Sequence, residues 1–178
     1  MIAYLVLLLA VLSRLLPPML HFTAMNFAAL GGSLLFFGAK RPRWQNVIAV
    51  AALMATDVFL TLYVYHYPFQ FRGYLVTWIW YAGVCVMASS LLRKVTFARV
   101  IGGVLASATS FFVLSNFVVW MGNLYPHTLS GLATCYALAL PFYRNDLIST
   151  AIVAGALFGL PVLAARLVES FHGHEKTA

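Results

Sequence analysis

Asp57 is the residue in this chain whose setting most demands a chemical explanation. It lies near the middle of the apolar run 46–65, NVIAVAALMATDVFLTLYVY. A carboxylate at bilayer depth costs several kcal/mol unless it is paired, hydrated or protonated, so it marks either a polar cavity or a hydrogen bond between helices. Arg14 and Arg144 are the expected partners. A second concentration of chemistry fills 115–146, SNFVVWMGNLYPHTLSGLATCYALALPFYRND. Asn116 can offer a paired donor and acceptor, and Trp120, Tyr125 and Tyr136 can offer flat faces to a ring. Arg144 would hold an anionic group, with Asp57 orienting it or taking a ligand donor, and His127 stands in the same loop. Asn26 and Arg14 complete the candidate set. These residue types suit binding rather than bond making.

Three further connections of chemistry can be weighed. Each expected outer connection brings one histidine (His21, His66, His127) and one arginine (Arg14, Arg72, Arg144). Convergent imidazoles could ligate a transition metal and convergent guanidinium groups would favour an anion, but ordinary interfacial side chains have the same composition. No metal or cofactor is assigned. Cys85 and Cys135 lack a C-x-x-C partner, so neither a disulfide framework nor a zinc site is indicated. The chain has no G-x-x-x-x-G-K-[ST] loop, H-E-x-x-H or G-x-S-x-G motif, and the spacing of Ser115, Asp57 and His127 does not support a triad. It is not expected to be an enzyme.

The elements that position these residues follow from composition. With 63% hydrophobic and 8% charged residues among 178, the chain lacks the roughly one-quarter charged content of a soluble protein. An all-α integral membrane protein with the lipid bilayer as partner is expected. The net charge of +7 comes in short clusters between apolar runs, the pattern of membrane topology and not of nucleic-acid binding. About 20 helical residues cross a bilayer core. On that ruler six spans are expected, at 2–16, 24–39, 46–65, 74–92, 97–120 and 146–167. Pro17 and Pro18 are expected to stop the first, which is read as a retained span because no basic n-region precedes it. These spans make a membrane domain over 1–168, with a polar tail at 169–178.

Counting Lys and Arg places Lys40, Arg41, Arg43, Arg93, Lys94, Arg99, Arg166 and Lys176 on one side and Arg14, Arg72 and Arg144 on the other, 8 against 3. The more basic side faces the cytoplasm, so both termini are expected inside and 115–146 outside. The apolar stretch 128–140 reaches only about 20 Å as a helix and is expected to be a short, partly inserted helix between the fifth and sixth spans. Aromatics at 63, 65, 67, 69 and 71 keep a period of two, which fits extended chain; interfacial anchoring competes there with a lid. Small residues four apart, Ala24, Ala28 and Gly32, Ala51 and Ala55, Gly102, Ala106 and Ser110, and Gly155 and Gly159, are expected to pack helices together.

The runs MNFAALGGSLLFFGA (25–39), SNFVVW (115–120), YPHTLSGLATCYALALPFYRND (125–146) and LFG (157–159) resemble a family of small bacterial membrane proteins of unknown function described as transport proteins. That family is similar to the substrate-binding S-components of energy-coupling factor (ECF) vitamin transporters. The resemblance implies a bacterial inner-membrane bundle that binds a vitamin-like small molecule at its outer end, under the first, third and fifth connections. It also implies an ECF-type coupling protein and a pair of ATPases as partners, or solitary action. S-components dock through A-x-x-x-A on the first helix, whereas this first span has only Ala3 and Ala10, which favours solitary action. The histidine at position 2 of nickel and cobalt members is absent, which counts against a metal substrate. The expected function is therefore substrate-binding membrane transport, with an assembly subunit of a membrane complex, or less readily an intramembrane enzyme, as alternatives.

Overall fold

The computed structural model describes residues 1–19 and 29–175. Among the described residues the regular structure is all helical: α1 (Ile2–Met19), α2 (Leu30–Lys40), α3 (Asn46–Phe59), α4 (Phe71–Leu91), α5 (Phe97–Met121) and α6 (Leu129–Glu175). A 3₁₀ turn, Arg43–Gln45, leads into α3 and a π turn, Leu60–Val64, leads out. Four stretches are long and apolar enough to cross a membrane: Arg43–Val64, Phe71–Leu91, Phe97–Met121 and Leu129–Arg166. Large apolar side chains lie exposed along these helices and along α1, among them Leu5, Leu9, Ile79, Phe117 and Leu138. This is the surface that a membrane protein turns to lipid.

The core is organised around α2, in which every residue from Leu30 to Gly38 is buried. Its glycines let other helices approach to backbone distance. A Cβ on Gly32 would meet Val153 Cβ at 2.7 Å and the Ala154 amide at 2.8 Å, and one on Gly38 would strike the Cys85 backbone. Side-chain pairs give the helix directions. Tyr4 donates to Gln45 Oε1 and Arg14 bonds Asp57, so α1 and α3 run the same way. Arg43 meets Ser89, and Trp78 meets Asp57, so α4 runs back along α3. Trp80 donates to Ser110, which sets α5 against α4, and Tyr136 and Tyr143 reach Val113 and Thr109, which sets α6 against α5. The basic turns at 40–45 and 92–96 therefore share one end with Met1.

Four expectations are corrected. α1 does not stop before Pro17 and Pro18 but continues to Met19; the fixed φ of proline is compatible with a helix, which continues through them without the two hydrogen bonds their nitrogens cannot donate. The expected short helix at 128–140 and the sixth span at 146–167 are one continuous helix of 47 residues with Pro141 inside it. At 1.5 Å per residue it is about 70 Å long, over twice a bilayer core. Bonds from α5 to Tyr136 and Tyr143 hold both sides of the proline in register. The period-two aromatics are not one extended face, because Tyr63 belongs to the π turn, Phe71 opens α4 and His66 takes a left-handed φ of 54°. Finally, Ala51, Ala55, Ala106, Gly155 and Gly159 are exposed, and a Cβ on Gly102, Gly155 or Gly159 would meet nothing within 4 Å. Spacing marks a smooth face but not which way that face turns. The start of the expected second span, at 24–28, lies outside the described residues.

Candidate functional site

Asp57 is buried at 3% exposure and its two oxygens take three donors. Arg14 Nη2 donates to Oδ1 at 2.6 Å, while Trp78 Nε1 and the Tyr81 hydroxyl donate to Oδ2 at 2.9 and 3.2 Å. Arg14 Nη1 also donates to the Tyr81 hydroxyl at 3.1 Å. Arg14, Asp57 and Tyr81 thus form a closed ring of hydrogen bonds across α1, α3 and α4. Sequence places the carboxylate at this depth: Asp57 lies eight residues before Tyr65 and Trp78 eight after Gln70, so antiparallel α3 and α4 bring them level. A buried ion pair survives only with its remaining lone pairs and protons satisfied, and Trp78 and Tyr81 supply that here.

Above the ring sits an aromatic wall. Thr61 donates to the Asp57 carbonyl at 2.7 Å and pairs with the Tyr74 hydroxyl. Phe69 lies parallel to Tyr74 with centroids 5.3 Å apart and stacks on Trp78 at 6.1 Å. Phe69 comes from the irregular 66–70 segment, the part of the aromatic connection that does turn inward. Tyr63, Tyr65, Tyr67 and Phe71 are exposed. The Arg14 side chain, 20% exposed, uses two of its five N–H donors in these bonds.

The stretch 115–146 is engaged mostly with itself. Asn116 Nδ2 donates to Phe112 O at 2.8 Å within its own helix. Trp120 Nε1 donates to Pro126 O at 3.1 Å and rests edge-on against His127, whose Nε2 bonds Gly122 O at 3.0 Å. Tyr136 donates to Val113 O at 2.7 Å, Tyr125 is half-buried and Arg144 is exposed on α6. Thr128 caps α6 by accepting from the Gly131 amide at 3.1 Å. No described hydrogen bond or ion pair joins Asp57 to Asn116 or Arg144. Of the two expected partners, Arg14 is the one that pairs with it. Asn26 and His21 lie outside the described residues.

Arg14 is thus in the bundle, whereas Arg72 and Arg144 are exposed on α4 and α6. Among the described residues no three His, Cys, Asp or Glu side chains gather to hold a metal. A groove of about 160 Å³ between α4 and α5 is walled by Trp80, Phe111 and Leu114, with Thr77 and Ser115 adding polar groups. It touches neither Arg14 nor Asp57. Trp78 and Tyr81, which donate to Asp57 Oδ2, were not among the expected site residues; equal depth across the α3–α4 connection is the signal that would tie them to Asp57.

One family model matches the chain, over residues 1–171, and its description is a family of unknown function (DUF6580). No curated protein and no solved structure matches.

Proposed function

We propose, for a chain that belongs to the DUF6580 family of unknown function, a multi-pass protein of the bacterial inner membrane that binds a small anionic molecule for uptake. The observation that carries this is the Arg14–Asp57 pair, 2.6 Å apart inside the bundle and roofed by stacked aromatics. Intramembrane ionisable residues are costly and mark ligand or ion pathways by default. The pair is neutral as a unit, so the empty site carries no net charge. A ligand carboxylate or phosphate accepts the remaining N–H donors of Arg14 in its planar fork. The faces of Phe69, Tyr74 and Trp78 take an attached ring.

In this reading the chain makes six crossings with both termini in the cytoplasm, supported by the basic turns at 40–45 and 92–96, which share one end of the bundle with Met1. Asp57 then lies about 21 Å from Arg43 along the helix, nearer the outer end. Ala3 and Ala10 are buried, 5% and 0% exposed, so the first helix offers no alanine face for an ECF-type coupling protein. This supports solitary action, without such a protein and its ATPases.

Mass spectrometry of the protein purified in mild detergent tests the site. Wild type is expected to retain a small anionic molecule. Arg14→Lys keeps a charge opposite Asp57 but loses the planar fork, and retention is expected to fall about tenfold, the loss of one good charge-assisted bond. An empty wild type, or equal retention by a folded Arg14→Lys, contradicts the proposal.

A further inference from the structure

We propose that the α2–α3 and α4–α5 turns together bind the headgroup of an anionic phospholipid. Lys40, Arg41, Arg43, Arg93, Lys94 and Arg99 stand on or beside these turns, and none of the four acids of the chain, Asp57, Asp146, Glu169 and Glu175, does. The two turns are tied together. Arg43 Nε and Nη2 donate to Ser89 Oγ at 3.1 Å and Ser90 Oγ at 2.9 Å, at the end of α4. Arg93 and Lys94 follow Ser90 by three and four residues, in the turn into which α4 runs. Arg99 Nη1 reaches back to Leu91 O at 3.4 Å and Lys94 O at 3.5 Å, which folds the second turn onto itself.

Two of the six cations are already occupied: Lys40 lies over Phe36 at 6.0 Å, and Arg41 lies over Tyr4 at 4.8 Å and bonds Gln45. Arg43, Arg93, Lys94 and Arg99 are exposed, and the bonds of Arg43 and Arg99 go to neutral oxygens, which leave their charge uncompensated. What identifies the partner is the apolar company they keep. Trp44 is 69% exposed, Phe97 84% and Val95 43%, all interleaved with the cations. A tryptophan beside basic residues at the end of apolar helices sits at headgroup depth, and basic pockets between helices at that depth take lipid phosphate. A soluble phosphate or a nucleic acid would satisfy the charges and leave those apolar side chains in water.

The test is mass spectrometry of the intact protein from micelles doped with equal amounts of phosphatidylglycerol and phosphatidylcholine. Wild type is expected to retain phosphatidylglycerol preferentially, with the preference lost in high salt. The triple variant Arg43→Gln, Arg93→Gln, Lys94→Gln is expected to lower the preference by about a hundredfold, at about fivefold per cation removed. Arg72→Gln, at the opposite end of α4, is expected to leave it unchanged. If the triple variant does not fold, Arg93→Gln and Lys94→Gln singly carry the same test. Equal retention of the two lipids by wild type, an unchanged preference in the variants, or displacement of the lipid by inorganic phosphate at an ionic strength where chloride does not displace it overturns the proposal.

Discussion

Asp57→Leu is expected to destabilise the folded protein by about 3–5 kcal/mol, the cost of leaving a buried charge without its partner. The variant strands the Arg14 guanidinium beside leucine and takes the acceptor from Trp78 Nε1 and the Tyr81 hydroxyl, which bond Asp57 at 2.9 and 3.2 Å. Arg14→Met should cost a similar amount for the converse reason. The double variant Arg14→Met, Asp57→Leu is expected to recover more than half of either loss, because two apolar side chains can replace a buried ion pair with little change in stability. Thermal unfolding followed by gel filtration in detergent measures all three. Additive losses in the double variant would show that the two side chains act independently, against the 2.6 Å bond between them.

Gly38→Ala is the second large expected effect. A Cβ at this position would strike the Cys85 carbonyl oxygen and lie 2.9 Å from Cys85 Cα. Backbone cannot swing aside as a side chain can, so α2 and α4 must separate along a seam that includes Leu34 and Cys85, 1% and 0% exposed. A loss of about 3 kcal/mol, the upper end for overpacked cores, is expected. Gly155→Ala is the internal control. Nothing stands within 4 Å of its added Cβ, so the better helix propensity of alanine should leave stability unchanged or raise it by about 0.5–1 kcal/mol. Both glycines are helical, and only the neighbour differs. Equal behaviour of the two variants in the unfolding assay would contradict the close α2–α4 approach.

Much of this architecture is written in the apolar runs. The expected spans at 74–92 and 97–120 meet α4 (Phe71–Leu91) and α5 (Phe97–Met121) within three residues at each end, because charged clusters and turns bound them on both sides. Asp57 was legible from charge alone, since so few ionisable groups lie within the spans, and Arg14 as one of its two expected partners, with Arg144 left open. Other features were hidden for physical reasons. Tyr143, Arg144, Asn145 and Asp146 beside Pro141 look like a break between helices, yet contacts from Phe112 and Thr109 to Tyr143 carry α6 through. The polarity of 115–146 looked like a ligand site, but Trp120, His127 and Tyr136 spend their donors on nearby carbonyls. Polar residues in a membrane chain have two uses, binding and satisfying the backbone where helices end, and composition does not separate them.

The central claim, that ligand binds at the Arg14–Asp57 ring and not at the 115–146 hairpin, is tested most directly by tryptophan fluorescence. A variant with Trp44, Trp80 and Trp120 changed to Phe keeps only Trp78, whose Nε1 is 2.9 Å from Asp57; a companion keeps only Trp120, which bonds Pro126. Each is emptied and titrated with the small-molecule fraction released from wild type. A saturable change is expected at Trp78, abolished by Arg14→Lys, with Trp120 silent. A saturable change at Trp120 with Trp78 silent would contradict the claim and move the site to the hairpin.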